Sequence, residues 1–297
     1  MGVRRAVETA VKALSENPGK KVCSLGPLIH NSSVLNSLAE KGLSILDENN
    51  IENADENSVV IIRAHGVSPD VQQKLKDRGC QIIDATCPRV VASQKNVRKF
   101  SREGYDVFLA GDKNHGEVLG IQGFAEGPFY LLQNKEDADR VAGFDAERSA
   151  VPAAGRASGT GAVGVGKPDS EKKAVFLSQT TFSPVEFEKI AGSLSEKYGE
   201  ALKVMNTICP ATRERQEALI KLCSQVEAVV VVGGKNSANT KRLLETALKY
   251  CENSILIEKA SELPESFFEY KKVGITAGAS TPDEDINQVY ECLSRNL

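Results

Sequence analysis

A Cys-Pro step occurs twice in this chain, as Asp84-Ala85-Thr86-Cys87-Pro88 and as Asn206-Thr207-Ile208-Cys209-Pro210, 122 residues apart. Each copy stands between an apolar run and a polar, helix-like run. Downstream of the first lies Gly111-Asp112-Lys113-Asn114-His115-Gly116-Glu117. Downstream of the second lies Gly233-Gly234-Lys235-Asn236-Ser237-Ala238-Asn239, again offset by 122. Two motif pairs in one register define an internal repeat, which restricts the fold to copies of one supersecondary unit packed together.

Around these markers short apolar runs alternate with helical patterns. Val59 to Ile62, Asp106 to Ala110, Val175 to Leu177, Ala228 to Val232 and Val273 to Ile275 read as buried strands, each running into a polar loop. Helices are expected over 4–15, 90–103 and 212–224. The first places Val3, Ala6, Val7, Ala10, Val11 and Leu14 on one face. Strands and helices in this alternation predict right-handed βαβ units on parallel sheets. The expected fold class is therefore α/β, with three pseudo-symmetric units at 1–86, 87–208 and 209–297. From Pro184 to Pro282 the offset falls to 98, so the second unit holds 24 extra residues (122 − 98). Residues 143–173, rich in Gly, Ala and Ser, account for them and read as a flexible surface insertion.

The repeat also speaks to the start of the chain. Cys87 to His115 and Cys209 to Ser237 both span 28 residues, and counting 28 back from His30 lands on position 2. A Cys is expected there, and Gly stands in its place.

The 297 residues contain no apolar run of membrane-spanning length and no secretory signal after Met1, so a soluble cytoplasmic protein is expected. Net charge is −3, which argues against nonspecific binding to nucleic acid or membrane surfaces. An anionic ligand would have to be held by neutral donors and helix N-termini. Seven Cys without a CxxC pair argue for reduced thiols or metal ligands over a disulfide framework.

Polar residues gather where the strands end. His30, His65 and His115, the three histidines of the chain, each follow an apolar run, as do Glu117, Thr180, Thr181, Ser237, Asn239 and Ser280. Open parallel sheets bind ligands beyond the carboxyl ends of their strands, so these residues are candidates for one shared site. Cys23, Cys80, Cys223, Cys251 and Cys292 read as core residues. Cys87 and Cys209 differ, because they occupy matched repeat positions. Zinc would require four ligands, or three and a water. Three thiolates on a four-iron cluster would leave one iron open to substrate.

His30-Asn31, Arg63-Ala64-His65-Gly66-Val67-Ser68, Asp84 to Pro88, His115-Gly116-Glu117, Gln179-Thr180-Thr181, Cys209-Pro210-Ala211-Thr212, Lys235 to Thr240 and Thr276 to Ser280 together resemble the signature stretches of one family. That family is 4-hydroxy-3-methylbut-2-enyl diphosphate reductase, the IspH or LytB type. The resemblance covers nearly the whole chain outside 143–173. It implies three α/β units around a central [4Fe-4S] cluster. It also implies reductive dehydroxylation of an allylic diphosphate to isopentenyl and dimethylallyl diphosphates, the last step of the non-mevalonate isoprenoid route, with a ferredoxin or flavodoxin as electron donor.

By the same resemblance Cys87 and Cys209 match two of three cluster thiolates. Glu117 matches the acid that protonates the departing hydroxyl, and Thr180 the hydroxyl beside it. His115 matches a residue serving both diphosphate binding and proton delivery. His30, His65, Ser237, Asn239 and Ser280 match the diphosphate cradle. Two departures stand out. Ala238 occupies a place where many relatives carry a second Ser. The third cluster Cys would fall immediately before Met1, in a Gly-Phe-Cys-x-Gly-Val stretch of which Met1-Gly2-Val3 supplies the end, so a longer native chain is expected and the 297-residue form, short of one thiolate, is expected to be impaired. A cluster-free diphosphate-binding module and a zinc hydrolase are the competing readings. Intact Glu117 and Thr180 count against the first, and the lack of closely spaced metal-type ligands counts against the second.

Overall fold

The computed structural model describes residues 2–143 and 173–295. The expected insertion at 143–173 therefore lies almost wholly outside the described residues.

The first part of the chain runs α1 (Gly2–Glu16), β1 (Lys21–Leu25), α2 (Ser32–Glu40), β2 (Ser44–Leu46), β3 (Ser58–Ile62), α3 (Pro69–Asp77) and β4 (Gln81–Asp84). Next come α4 (Pro88–Arg102), β5 (Asp106–Ala110), α5 (Gly116–Gln122), β6 (Phe129–Leu132), α6 (Lys135–Gly143), β7 (Ala174–Ser178), α7 (Pro184–Tyr198) and β8 (Leu202–Val204). The last part holds α8 (Pro210–Cys223), β9 (Ala228–Val232), α9 (Ala238–Tyr250), β10 (Ser254–Ile257), β11 (Val273–Ala277) and α10 (Asp283–Ser294).

These strands form three wholly parallel sheets, ordered β2-β1-β3-β4, β6-β5-β7-β8 and β10-β9-β11. The order is one plan used three times: the first strand of each unit lies inside, the second flanks it, and the third pairs on the other side. β9 is β5 displaced by 122 residues at both ends. β3, β5, β7 and β9 are buried along their full length, which is why they read as continuous apolar runs with no alternation. Helices cover the faces. On one side of the second sheet Phe176 stacks on Phe187 of α7 at 4.6 Å, and each aromatic ring buried in this way contributes about 1.5–3 kcal/mol.

The Cys-Pro steps have a local cause. Asp84 Oδ1 accepts the Thr86 N–H at 2.8 Å, and Asn206 Oδ1 accepts the Ile208 N–H at 3.1 Å, so each step opens with the same Asx turn. Pro88 and Pro210 then occupy the first turn of α4 and α8, where a missing N–H costs nothing. The Cys between turn and proline is thereby fixed as the helix N-cap.

Candidate active site

The carboxyl ends of all three sheets converge. A cavity of about 80 Å³ is lined by His30 after β1, His65 after β3, His115 after β5, Thr181 after β7, Ser237 to Asn239 after β9, and Ala279 with Ser280 after β11. Leu28, Ile29, Ala64 and Val3 supply its apolar wall. The structure thus brings His30, His65, His115, Ser237, Ala238, Asn239 and Ser280 to one place. Thr180 is not part of the lining; its neighbour Thr181, which the sequence marked only as a strand-end residue, is.

The imidazoles form a row. The ring centroids of His30 and His65 are 5.5 Å apart, and those of His65 and His115 are 5.1 Å apart, edge to face. Burial lowers the pKa of all three, His65 most strongly and His115 to about 4, with Arg63 adding to the effect in each. They are neutral at pH 7. His115 also caps α5: its Nδ1 accepts the Glu117 N–H at 3.2 Å. That bond places the imidazole proton on Nε2, leaving Nε2–H as a donor. The cap is set up by Asn114, whose φ of 67° makes it the one non-glycine residue in the left-handed region among the described residues.

Two further groups in the wall lack partners. His65 Nδ1 and Asn239 Nδ2 are buried without a hydrogen bond among the described residues. A buried polar atom left so costs roughly 1–3 kcal/mol, which an incoming acceptor or donor would recover. Ser237 caps α9 by accepting the Thr240 N–H, so the N–H groups of Ala238 and Asn239 open that helix without intrahelical acceptors.

Glu117, whose N–H meets the His115 ring, is 1% exposed. Thr180 donates its backbone N–H to Glu117 Oε1 at 2.6 Å and its hydroxyl to Oε2 at 2.7 Å. Burial pushes the carboxyl up to about 7, against the opposing pull of both Thr180 bonds. An acid poised there can give up a proton at neutral pH. Gln179 pins the same loop, accepting the Asp112 N–H at 2.9 Å and donating to the Thr181 hydroxyl at 2.7 Å.

Cys87 and Cys209 sit alike. The Cys87 N–H donates to the Ala64 carbonyl at 3.0 Å, and the Cys209 N–H donates to the Thr180 carbonyl at 2.8 Å. Each thiol is therefore tied beside a loop that follows a third strand. Asn31, Ser68, Ser183 and Ser237 all cap their helices through the side chain; Cys87 and Cys209 do not, and both thiols are half-buried. Two soft donors left uncommitted at matched helix starts fit the role of thiolate ligands. The helix start of α1 meets the same place, since a Cβ on Gly2 would lie 3.0 Å from Cys87 Sγ. Among the described residues no group of three or more His, Cys, Asp or Glu could hold a metal ion.

Two arginines that join the units were given no role of their own by the sequence, although Arg63 opens one of the signature stretches. Arg63, its side chain 13% exposed, pairs with Glu48 and lies against Gly26 and Gly116, where a Cβ would come within 2.6 and 2.8 Å of its guanidinium. Arg242 of α9 pairs with Asp112 and stacks over Phe182. Arg242 looks like an ordinary charge in sequence, because its partner is 130 residues away. One register assignment also needs correcting. The repeat arithmetic aligned His30 with His115 and Ser237, which cap their helices, yet the cap of α2 is Asn31. The loop after β1 is one residue longer before its helix begins.

Three parallel α/β sheets bring neutral imidazoles and a helix start to one cavity, and their strand-end segments also carry a buried acid and two half-buried thiols. This defines an α/β enzyme site shaped for an anionic substrate. The chain belongs to the LytB protein family, whose profile matches residues 1–294. It is 45% identical to the 4-hydroxy-3-methylbut-2-enyl diphosphate reductase of Treponema denticola, over 97% of this chain and 93% of that one. The same-named protein of Caldanaerobacter subterraneus is 37% identical over 98% and 91%. Among solved structures, the E-1-hydroxy-2-methyl-but-2-enyl-4-diphosphate reductase of Plasmodium falciparum superposes with a TM-score of 0.84 at 26% identity, covering 98% of this chain and 83% of that one. A second, described as the terminal enzyme of the non-mevalonate pathway, gives 0.66 at 35% identity, covering 99% and 95%.

Proposed function

We propose that this chain reduces 4-hydroxy-3-methylbut-2-enyl diphosphate to isopentenyl and dimethylallyl diphosphates. The reaction breaks the allylic C–O bond, forms a C–H bond, consumes two electrons and two protons, and releases water. The observation that carries the reading is the cavity, where neutral imidazoles and unpartnered buried donors gather, with an acid held near pKa 7 tied through its N–H to the His115 ring.

The diphosphate is assigned to His30, His65, His115, Ser237, Asn239 and Ser280. Neutral N–H and O–H donors in a closed pocket bind phosphate oxygens without the desolvation cost of burying lysines. The α9 N-terminus adds its first-turn N–H groups and its dipole. Glu117 donates the proton that turns the leaving hydroxyl into water, through or beside the Thr180 hydroxyl. His115 links the diphosphate site to that acid, since it lines the cavity and its Nδ1 accepts the Glu117 backbone N–H. Cys87 and Cys209 would hold a [4Fe-4S] cluster, which when bound supplies Lewis acidity at the hydroxyl oxygen and a route for electrons. A ferredoxin or flavodoxin in the cytoplasm is the donor this reading calls for. No described helix is long and apolar enough to cross a membrane.

The test is anaerobic reconstitution with iron and sulfide, then turnover with dithionite-reduced methyl viologen. The expected result is consumption of the allylic diphosphate with formation of both products. Binding of the substrate without any reduction by the reconstituted protein would sink the reading.

Ala238 offers a finer check. It lines the cavity at the first position of α9, where its methyl group donates nothing. Ala238→Ser should tighten diphosphate binding about fivefold, the value of one net hydrogen bond of about 1 kcal/mol. Calorimetric titration with inorganic pyrophosphate measures it, and an unchanged affinity would place position 238 away from the anion.

A further inference from the structure

A basic face lies on the outside of the second sheet. Lys95, Arg98, Lys99 and Arg102 follow one another at helical spacing along α4, and with Glu103 they line an open groove of about 370 Å³. Lys203 of the edge strand β8 joins them, its ammonium 4.9 Å from the centre of the Phe100 ring, over which Lys99 also sits. Lys173 reaches the adjacent Tyr105 ring. Among the described residues six cations thus stand here with two carboxylates, Glu103 and Glu126, in a chain whose net charge is −3. Arg98 and Arg102 pair with Glu126, and Lys99 with Glu103; among the described residues Lys95, Lys173 and Lys203 join no ion pair.

Along α4 the face starts near one thiol and runs away from it, toward the amino ends of β5 and β7. Cys87 caps α4, and Lys95 and Lys99 are eight and twelve residues on, roughly 12 and 18 Å along the helix. Phe100 beneath the lysines belongs to the same packed cluster as Val90, Val97, Met205 and Cys87. Lys203 precedes Cys209 by six residues. The face therefore overlies a continuous apolar layer that ends on one proposed cluster ligand, and it borders the segment leading to the other.

We propose that this face of α4 and β8 is where the electron donor docks, an acidic protein that carries one electron at a time. The proposal rests on the reductase reading, because that reaction needs two electrons from outside the chain. Two successive dockings deliver them, each oxidising one carrier by one electron. Local positive charge on an otherwise acidic protein steers an acidic partner to this face and away from the rest of the surface. An extended polyanion such as RNA would meet the acidic remainder of the chain as well, which favours a compact acidic protein.

The test uses the reconstituted holoenzyme and the triple substitution Lys95→Glu, Lys99→Glu, Lys203→Glu, with the matching Lys→Gln triple as a milder second variant. Turnover is measured with reduced methyl viologen, with a reduced flavodoxin and with a plant-type ferredoxin. Direct binding of each carrier is measured by calorimetry between about 20 and 200 mM salt, a range over which surface attraction is progressively screened. The expected result is viologen turnover within about twofold of the parent, a KM for the preferred carrier raised about tenfold or more, and a flattened salt dependence of its binding. The Gln triple should fall between. Carrier KM and carrier affinity unchanged in the Glu triple would overturn the proposal. So would a face that binds single-stranded RNA while neither carrier binds the parent protein. A parent protein inactive even with viologen would instead count against the reductase reading, and carrier binding to parent and variant would still decide the docking surface.

Discussion

Glu117→Gln is expected to lower turnover by about 100- to 10,000-fold, the usual range for loss of a positioned general acid, with substrate affinity within a few-fold of the parent. The substitution is nearly isosteric, and Thr180 keeps its backbone bond to the retained amide oxygen in place of Oε1. What disappears is the transferable proton. Steady-state kinetics with viologen as donor, paired with calorimetric binding of the substrate, separates the two effects. Turnover within about threefold of the parent would move the acid elsewhere.

The same variant has a signature in stability. The carboxyl is raised from 4.5 to about 7 on folding, chiefly by burial. Its contribution is therefore complete below pH 4.5 and is lost as pH rises through 7, a change on the order of 3 kcal/mol. The histidines act in the opposite sense. Their folded pKa values are lowered, so they cost stability as pH falls below 6.5, His115 down to about 4. In the parent these trends partly cancel between pH 4.5 and 6.5. In Glu117→Gln only the histidine trend remains, and stability measured by urea unfolding should climb more steeply with pH than in the parent. Parallel curves would show that Glu117 is not the strongly perturbed group.

The second large effect is expected at the join between the first and third sheets. A Cβ on Gly234 would lie 1.8 Å from the carbonyl oxygen of His30 and 2.8 Å from its carbon. Both are backbone atoms, so no rotamer change relieves the clash. Gly234→Ala must part the two loops, and these carry His30 on one wall of the cavity and Ser237 to Asn239 on the other. The expected cost is about 3 kcal/mol, at the upper end of overpacking penalties, together with weaker pyrophosphate binding. Gly192→Ala in α7 is the control: nothing lies within 4 Å of its Cβ, so it should be neutral or stabilising by up to about 1 kcal/mol. Thermal unfolding of the two variants, followed by calorimetry, tests the idea. Equal melting temperatures would mean the loops are not in contact.

Much of the fold was legible because its determinants are local. The buried strands show as apolar runs, Val229 to Val232 among them. The helix starts announce themselves through Asx turns, prolines and capping serines, all set by residues within four positions of one another. The 122-residue repeat then carries each local pattern to its copy, so that β5 and β9 coincide in register. The family resemblance rests on the same strand-end motifs. The one-residue shift that makes Asn31 rather than His30 the cap of α2 could not be read, since either polar residue can precede a helix.

By itself, then, the sequence determined parallel α/β units in repeat, strand ends rich in histidine and hydroxyl groups, and two Cys at matched helix starts. Only the tertiary structure decided the strand order within each sheet and the meeting of all three sets of strand ends at one cavity. It alone fixed the two Thr180 bonds to Glu117, a pairing across 63 residues that the resemblance implied, and turned Thr181 to the cavity. Arg242 gained its partner Asp112 the same way, through a contact between units, and Arg63 its place against Gly116. The physical reason is range. Turns, caps and apolar periodicity arise from interactions a few residues apart, whereas desolvation and the pKa values it sets depend on what the rest of the chain folds against each group.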